Sequence, residues 1–287
     1  MTAVYKKEVK GFLTSMIGYV FIAFLLVICG VYFTAYHLQG AYPKFAYTLD
    51  SVLFVFLIAV PVLTMRILAE ERKQKTDQLL FTAPVSVTQV VVGKYLALVT
   101  VYLIPVAVLC IYPLILSQFG TIPYPETYTA LLGFFLLGCS FLAIGLYLSS
   151  VTESQVIAAV LTFLLLFLCY VIQGIASFFP ETSDGSFFTL AALTAVGAFC
   201  VYLMIGSALI AVIAGAAAEA VLTVVYVVNS SFYEGLIQKI LNVLDLSGHF
   251  SDFASGILDL TAVVYYLSVI AVFLFLTVQS VQKRRWG

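Results

Sequence analysis

Few side chains in this sequence are of the types that carry out chemistry, and they are widely separated. The five cysteines are Cys29, Cys110, Cys139, Cys169 and Cys200. All fall inside apolar runs without a CxxC or Cys/His motif, which is typical of small buried hydrophobic residues. His249 and Asp252 could suggest a metal pair, but the chain has two histidines in total, and an ordinary polar turn is the favoured interpretation. The sequence thus predicts no catalytic, cofactor or metal site.

One acidic residue, Glu219, lies inside a long apolar run. An ionisable side chain in such a segment is a functional hypothesis by default. Ser207, Ala211 and Gly215 precede it at intervals of four residues, which gives a face of small residues suited to close helix packing. We interpret Glu219 as a turn residue at the cytoplasmic surface, and an intramembrane proton or substrate site is the alternative.

The densest group of charges runs from Arg66 to Asp77, where seven of twelve residues are charged. Arg66 with Glu70 and Glu71 with Lys75 are spaced as i,i+4 pairs, which favours a helix. A solvated loop that obeys the positive-inside rule would explain the charges alone.

An apolar patch, residues 79–81, directly follows these charges. Such a patch is unfavourable in water and suits the groove of a partner, so a docking element is the preferred interpretation. Pro84 ends the element, and Ser86 with Gln89 forms a capping-box pattern that begins the next helix.

Composition identifies the solvent around the rest of the chain. Of 287 residues, 63% are hydrophobic and only 9% are charged. Soluble domains carry about 25% charged residues, so a soluble globular protein is excluded and lipid must surround most of the chain. The formal net charge of −1 provides no general attraction for nucleic acid.

Apolar runs predict an all-α polytopic membrane protein. Its parts are an interfacial helix (1–11), spans 1 and 2 (12–69), a coupling region (66–89), spans 3 to 5 (90–178), an added hairpin (188–230), outer amphipathic helices (231–256), and a last span with a basic tail (257–287). A straight helix over 188–230 would be about 65 Å long at 1.5 Å per residue, against an apolar core of about 30 Å, so we expect a hairpin that turns near Gly215–Glu219. This predicts about eight spans; six spans plus a re-entrant pair is the alternative.

The distribution of basic residues predicts that both termini are cytoplasmic, because 11 of the 13 lysines and arginines then lie on one side. These are Lys6, Lys7, Lys10, Arg66, Arg72, Lys73, Lys75, Lys94, Lys283, Arg284 and Arg285. The outer side is acidic, which topology alone would explain; a preference for cationic cargo is the alternative. Outside, Phe232, Leu236, Ile240 and Val243 form the apolar face of an amphipathic helix.

Three stretches resemble a known family: MRILAEERKQKTDQLLFTAPVSVTQVVVGKYL (65–96), SSVTESQVIAAVLTF (149–163) and HFSDFASGILDLTAVVYYLS (249–268). The first is similar to the coupling region of ABC-2-type (type V) permeases, the membrane subunits of one class of ATP-binding-cassette exporters. The last is similar to the end of permeases of the gliding-motility-associated subfamily. These usually have a six-span core, so 188–230 is an added pair.

The resemblance implies two permease chains, identical or different, that work with two separate ATPase subunits in the bacterial cytoplasmic membrane. ATP and Mg would bind the ATPase, since this chain has no GxxxxGK[ST] phosphate loop. The implied ATPase-coupling residues are Arg66, Glu70, Glu71, Arg72, Lys75, Asp77, Leu79, Leu80, Phe81, Pro84 and Glu153. The implied extracellular gate residues are Phe232, Leu236, Ile240, His249, Phe250, Asp252 and Phe253. For Ser150 and Glu153, a capping box at a helix start is the favoured interpretation. A second ATPase contact, as the resemblance implies, is the alternative, and the two are compatible.

These features favour the permease subunit of an exporter, whose substrate the sequence does not name. An ATPase-driven mechanical transducer that acts on an extracytoplasmic accessory protein is the alternative. An ion-coupled carrier is disfavoured because the spans hold few charges. An intramembrane hydrolase is disfavoured because no Ser/His or paired-Asp arrangement lies at one depth.

Overall fold

The computed structural model of the protein describes residues 1–76, 85–205, 208–228 and 230–286. All of the regular secondary structure in these residues is helical. In chain order the helices are α1 (Thr2–Thr14), α2 (Met16–Phe33), α3 (Ala46–Thr64), α4 (Ala69–Lys73), α5 (Val87–Leu109), α6 (Tyr112–Leu116), α7 (Tyr124–Val151), α8 (Gln155–Ala176), α9 (Ser183–Ile205), α10 (Ala208–Val228), α11 (Leu236–Val243), α12 (Gly248–Ala254) and α13 (Leu260–Trp286). A π-helical turn, Thr34–Gln39, extends α2, and a 3-10 turn, Ser230–Tyr233, precedes α11.

Six helical stretches in these described parts are long and apolar enough to cross a membrane. They are Met16–Gln39, Ala46–Lys73, Val87–Leu116, Tyr124–Val151, Gln155–Ala176 and Leu260–Arg284. The all-helical, membrane-spanning class predicted from the apolar runs is therefore confirmed, because each run of the six-span core coincides with one of these stretches. The Ser86 hydroxyl accepts a hydrogen bond from Gln89 N at 3.3 Å, so this half of the predicted capping box forms at the start of α5.

The chain divides into two units: residues 1–168 with 246–287, and residues 169–245. In the first unit, α7 is central and packs against α3, α5, α12 and α13. Glycines on α7 allow large side chains to approach its backbone: a Cβ at Gly138 would overlap the Tyr102 ring, and one at Gly133 would overlap Phe253. The Tyr102 hydroxyl, fully buried, donates to the carbonyl of Phe134 at 2.8 Å, which satisfies its polar end.

In the second unit, α9 and α10 pack as an antiparallel pair. Thr194 Oγ1 donates to Glu219 Oε1 at 3.1 Å, and the rings of Phe187 and Tyr226 lie 4.6 Å apart. The turn predicted near Gly215–Glu219 is wrong, since both residues lie within α10, which begins at Ala208 after α9 ends at Ile205. Glu219 is therefore a helical residue with a hydroxyl partner on the facing helix rather than a turn residue. Ser207 and the side chain of Ala211 lie outside the described residues.

Candidate functional site

A buried lysine lies where three elements of the first unit meet. Lys94, in the second turn of α5, is only 1% exposed. Its Nζ lies 2.8 Å from Glu8 Oε1, 2.9 Å from Glu71 Oε1 and 3.1 Å from the carbonyl oxygen of Ile67. An ammonium group has three N–H donors, so these acceptors use its full capacity. The single side chain thereby joins α1, the exit of the second span and α4.

Lys7 completes the group, which we call the Lys94 cluster: Lys7, Glu8, Glu71 and Lys94. The Nζ of Lys7 lies 3.2 Å from Glu71 Oε1 and 3.6 Å from Glu8 Oε1. Burial alone would lower the pKa of Lys7, but the carboxylates of Glu71 and Glu8 raise it above the ordinary value. Two cations and two anions balance, which is what allows charge to be buried at a helix junction.

The N-terminal helix is fixed against the third span by contacts beside this cluster. The Tyr5 hydroxyl and Thr100 Oγ1 are 3.0 Å apart, and Phe12 is buried. Gly93 has no side chain where Met1 and Val4 approach, so α1 lies close to the backbone of α5. The position of Glu8 in the cluster follows from this packing.

The start of α4 is held by a serine of the fourth span. Backbone N–H groups of Leu68 and Ala69 both donate to Ser149 Oγ at 3.2 Å, and Ser149 Oγ donates to the carbonyl of Met65 at 3.1 Å. Free N–H groups at a helix start need such acceptors. Ser149 therefore links the fourth span to the entry of α4.

The other end of α4 is held by Arg72. Its Nε lies 2.9 Å from Glu153 Oε1, and its Nη1 donates to the carbonyl of Val151 at 2.7 Å. The capping box expected for Ser150 and Glu153 is wrong: the Ser150 hydroxyl donates to the Tyr147 carbonyl, while Glu153 pairs with Arg72. The 4–5 connection, Thr152 to Ser154, is thus tied to α4.

Among the residues predicted to couple to an ATPase, the structure turns some inward and leaves others at the surface. Arg66 and Glu70 form the expected i,i+4 pair at 2.7 Å, and both are partly exposed. The Glu71–Lys75 pair is wrong, because Glu71 points into the Lys94 cluster and Lys75, beyond the end of α4, has a positive φ of 56°. Asp77, Leu79, Leu80, Phe81 and Pro84 lie outside the described residues.

A cleft of about 570 Å³ separates α1 from the segment that contains α4. Phe12 and Ile67 form its apolar part, and Glu8, Arg66 and Glu70 contribute charge. This concave surface and the exposed polar residues 73–76 together form a solvent-accessible polar surface of the first unit.

The predicted outer-gate residues fall into both units. Phe250 and Phe253 on α12 are buried, with ring centroids 6.5 Å from Phe134 and 6.3 Å from Tyr266. The His249 ring stacks on Tyr265 at 4.2 Å. Asp252 also lies on α12 and is partly buried.

In the second unit, Phe232 and Ile240 are exposed and Leu236 is partly exposed, whereas Tyr233 and Ile237 are buried. The apolar face predicted for α11 is thus the face that this unit leaves open. Within the described residues, no group of three or more His, Cys, Asp and Glu side chains is arranged to hold a metal ion.

Sequence reasoning missed Lys94, Glu8 and Ser149. Two signals were present: Lys94 interrupts an apolar helix, and Glu8 is the one acidic residue among the lysines of residues 1–11. The sequence interpretation treated Lys94 as one of the solvated cytoplasmic cations. In the fold its ammonium group is paired with carboxylates from distant positions in the sequence.

Comparison with known protein families identifies a relationship over most of the chain. Residues 31–277 match a family model described as ABC-2 family transporter protein. A search among curated proteins found no match. The matched range contains α4, Lys94, Ser149 and all of the helices from α3 to α12.

Proposed function

The chain belongs to the ABC-2 transporter family, whose members are the membrane components of ABC transporters, and from that premise we propose that it is a permease subunit of an exporter driven by a separate ATPase. ATP and Mg bind the ATPase subunit, and this chain supplies the path through the membrane. The chain itself, with at least six apolar spanning helices among its described residues, is a multi-pass membrane protein.

The Lys94 cluster is the observation that carries this function. A permease must transmit motion from a cytoplasmic partner to its spans, and the connection has to be stiff to do so. The helix α4 is held at both ends: Ser149 binds its start, Arg72 binds Glu153 and Val151, and Glu71 binds Lys94 on the third span. A displacement of α4 would therefore move α1, α5 and the 4–5 connection together.

We assign docking of the ATPase to the surface of α4 and the residues after it. Glu70, Lys73 and Lys75 are at this surface, as is the cleft beside α1. Asp77, Leu79, Leu80, Phe81 and Pro84 belong to the same proposed docking element. Glu71 and Arg72, by contrast, act within the chain as structural links to the spans.

Two such chains, identical or different, assemble with two ATPase subunits in this proposal, in a bacterial cytoplasmic membrane and with both termini in the cytoplasm. The similarity of residues 249–268 supports placement in the gliding-motility-associated subfamily. Burial of Phe253 beside Gly133 and of Phe250 against Phe134 supports an outer gate built from α12.

We further propose that α9 and α10 both cross the membrane, which gives eight spans. They contain 23 and 21 residues, or about 34 and 31 Å at 1.5 Å per residue, against an apolar core of about 30 Å. A green fluorescent protein fused after Ile205 should then be fluorescent, and alkaline phosphatase fused there should be inactive. The reverse pattern would indicate a pair that does not reach the cytoplasm.

The experiment that tests the docking surface reverses charges on the outer side of α4. The chain is co-expressed with the ATPase encoded beside it, and co-purification and ATP hydrolysis are measured. Glu70→Lys should weaken assembly about tenfold, the range of a well-placed interface charge. Lys239→Glu, a charge reversal on the exposed face of α11, is the matched control and should have no effect. Normal assembly and hydrolysis with Glu70→Lys and Lys73→Glu combined would contradict docking on α4.

A further inference from the structure

The N-terminal helix carries a basic face that the described parts of the chain leave uncovered. Thr2, Lys6, Lys10 and Thr14 follow one another at intervals of four residues and are all exposed. Residues at this spacing lie on one side of a helix. The opposite side holds Tyr5, which contacts Thr100 on the third span, Glu8, which contacts Lys94, and the buried Phe12.

Among the residues that the structure describes, no carboxylate compensates the charge of this face. Lys6 and Lys10 form no ion pair within the described residues. Glu8 is the single acid of α1, and it is directed toward Lys94. Lys7 lies beside the stripe and remains 67% exposed although it contacts Glu71. Three lysines therefore share an outward surface that carries no carboxylate from α1.

The depth of α1 follows from its connection to the first span. One non-helical residue, Ser15, separates α1 from α2 and has extended backbone angles (φ −96°, ψ 152°). Gly18 permits this tight corner, because a Cβ there would overlap the carbonyl of Phe12. The span begins at Met16, which is 82% exposed, and continues into exposed Tyr19 and Val20. The helix α1 must therefore lie at the level where the apolar span meets water.

We propose that the face formed by Thr2, Lys6, Lys10 and Thr14 binds the headgroups of anionic phospholipids in the cytoplasmic leaflet. A lysine near an anionic bilayer contributes about 1 kcal/mol, which corresponds to a factor of about five in binding. The position at the boundary of the span favours lipid over a protein partner, since phosphates of the same leaflet lie at that depth. The bound lipid would hold α1 in place, and through Glu8 it would support the Lys94 cluster.

Native mass spectrometry of the purified full-length chain in detergent tests this proposal, with phosphatidylglycerol or phosphatidylcholine added at equal concentrations. The chain should bind phosphatidylglycerol in preference. Lys6→Gln with Lys10→Gln should weaken the tightest phosphatidylglycerol binding about 25-fold, a factor of about five for each lysine. Arginine at both positions should retain it, and Lys239→Gln should leave it unchanged.

A parallel measurement of ATPase co-purification separates the possible partners. A loss of phosphatidylglycerol binding with normal ATPase assembly supports the lipid site. Unchanged phosphatidylglycerol binding in the double glutamine variant overturns it. If ATPase assembly is lost in that variant while lipid binding is unchanged, the face binds protein; if both are unchanged, it is simply solvated. The lipid measurement contains no ATPase, so its outcome is independent of the proposed exporter function.

Discussion

Lys94 Nζ lies 2.9 Å from Glu71 Oε1, and this contact joins the third span to the short helix that follows the second span. Glu8 contacts the same nitrogen from the N-terminal helix at 2.8 Å. Because the two carboxylates come from different elements, loss of the ammonium affects both junctions at once.

Replacing Lys94 with methionine should destabilise the chain by about 3 kcal/mol or more, because removal of one partner leaves buried charge unpaired. Thermal unfolding of the purified protein in detergent measures this effect. A triple variant, Lys94→Met with Glu8→Gln and Glu71→Gln, should recover much of the loss, since no unpaired charge remains. Equal unfolding temperatures for Lys94→Met and the wild type would contradict a structural role for the cluster.

Ser149→Ala should loosen the start of α4 at a cost of about 1 kcal/mol, the usual value for loss of a capping side chain. Hydrogen–deuterium exchange at the amides of Leu68 and Ala69 should become faster, because both lose their acceptor. Ser150→Ala is the matched control, since the Ser150 hydroxyl donates to the Tyr147 carbonyl within its own helix. If the two variants exchange alike at α4, Ser149 does not hold that helix.

Gly133→Ala should destabilise the contact between α7 and α12 by about 1–3 kcal/mol, the cost of overpacking a filled interior. The added methyl group would overlap the Phe253 side chain. Phe253→Gly removes the Phe253 Cβ, which is the atom nearest to the added methyl group, together with the ring. It should therefore relieve this overlap, so the double variant should lose less than the sum of the two single variants. Gly174→Ala, where no atom approaches within 4 Å, is the control and should not lower the unfolding temperature. Additive losses would show that the two positions do not share this contact.

Asp259 should confer a pH-dependent stability on the last span. Its Oδ1 accepts a hydrogen bond from Thr261 N at 2.9 Å, and this backbone hydrogen bond lowers the pKa of the carboxyl below the ordinary 3.8. A carboxyl whose pKa is lower in the folded state stabilises that state above its unfolded pKa and loses the contribution as pH falls through the folded value. Asp259→Asn should therefore unfold at a lower temperature near pH 6, and the difference from the wild type should shrink below about pH 3.8. A difference that does not change between pH 6 and pH 3 would contradict this origin.

The six spans of the core could be predicted because each is a continuous apolar run, and lipid as solvent selects for length and hydropathy alone. The Arg66–Glu70 ion pair could be predicted as well, since residues at i,i+4 spacing are neighbours on one helix. Apolar runs and i,i+4 spacings are both properties of residues close together in the chain, so one sequence is enough to detect them.

The Lys94 cluster could not be predicted by the same means. Its members approach one another only after α1, α4 and α5 pack, and no local spacing encodes a contact between Glu8 and Lys94. Glu71 shows how a local rule fails here. Its i,i+4 neighbour is Lys75, yet in the folded chain its carboxylate pairs with Lys7 and Lys94. The predicted position of the hairpin turn was wrong for a related reason. The prediction assumed that the lone charge of Glu219 must face water, whereas Thr194 on the facing helix is its hydrogen-bond partner.

The balance of two ammonium groups and two carboxylates in the Lys94 cluster bears on the energetics of motion in an energised cell. Moving one elementary charge across a membrane potential of 100 mV involves about 2.3 kcal/mol. A group with no net charge carries no gating charge, so the voltage does no net work on this junction when it shifts as a unit. Its position can then respond to mechanical displacement of α4 while remaining insensitive to the electrical state of the membrane.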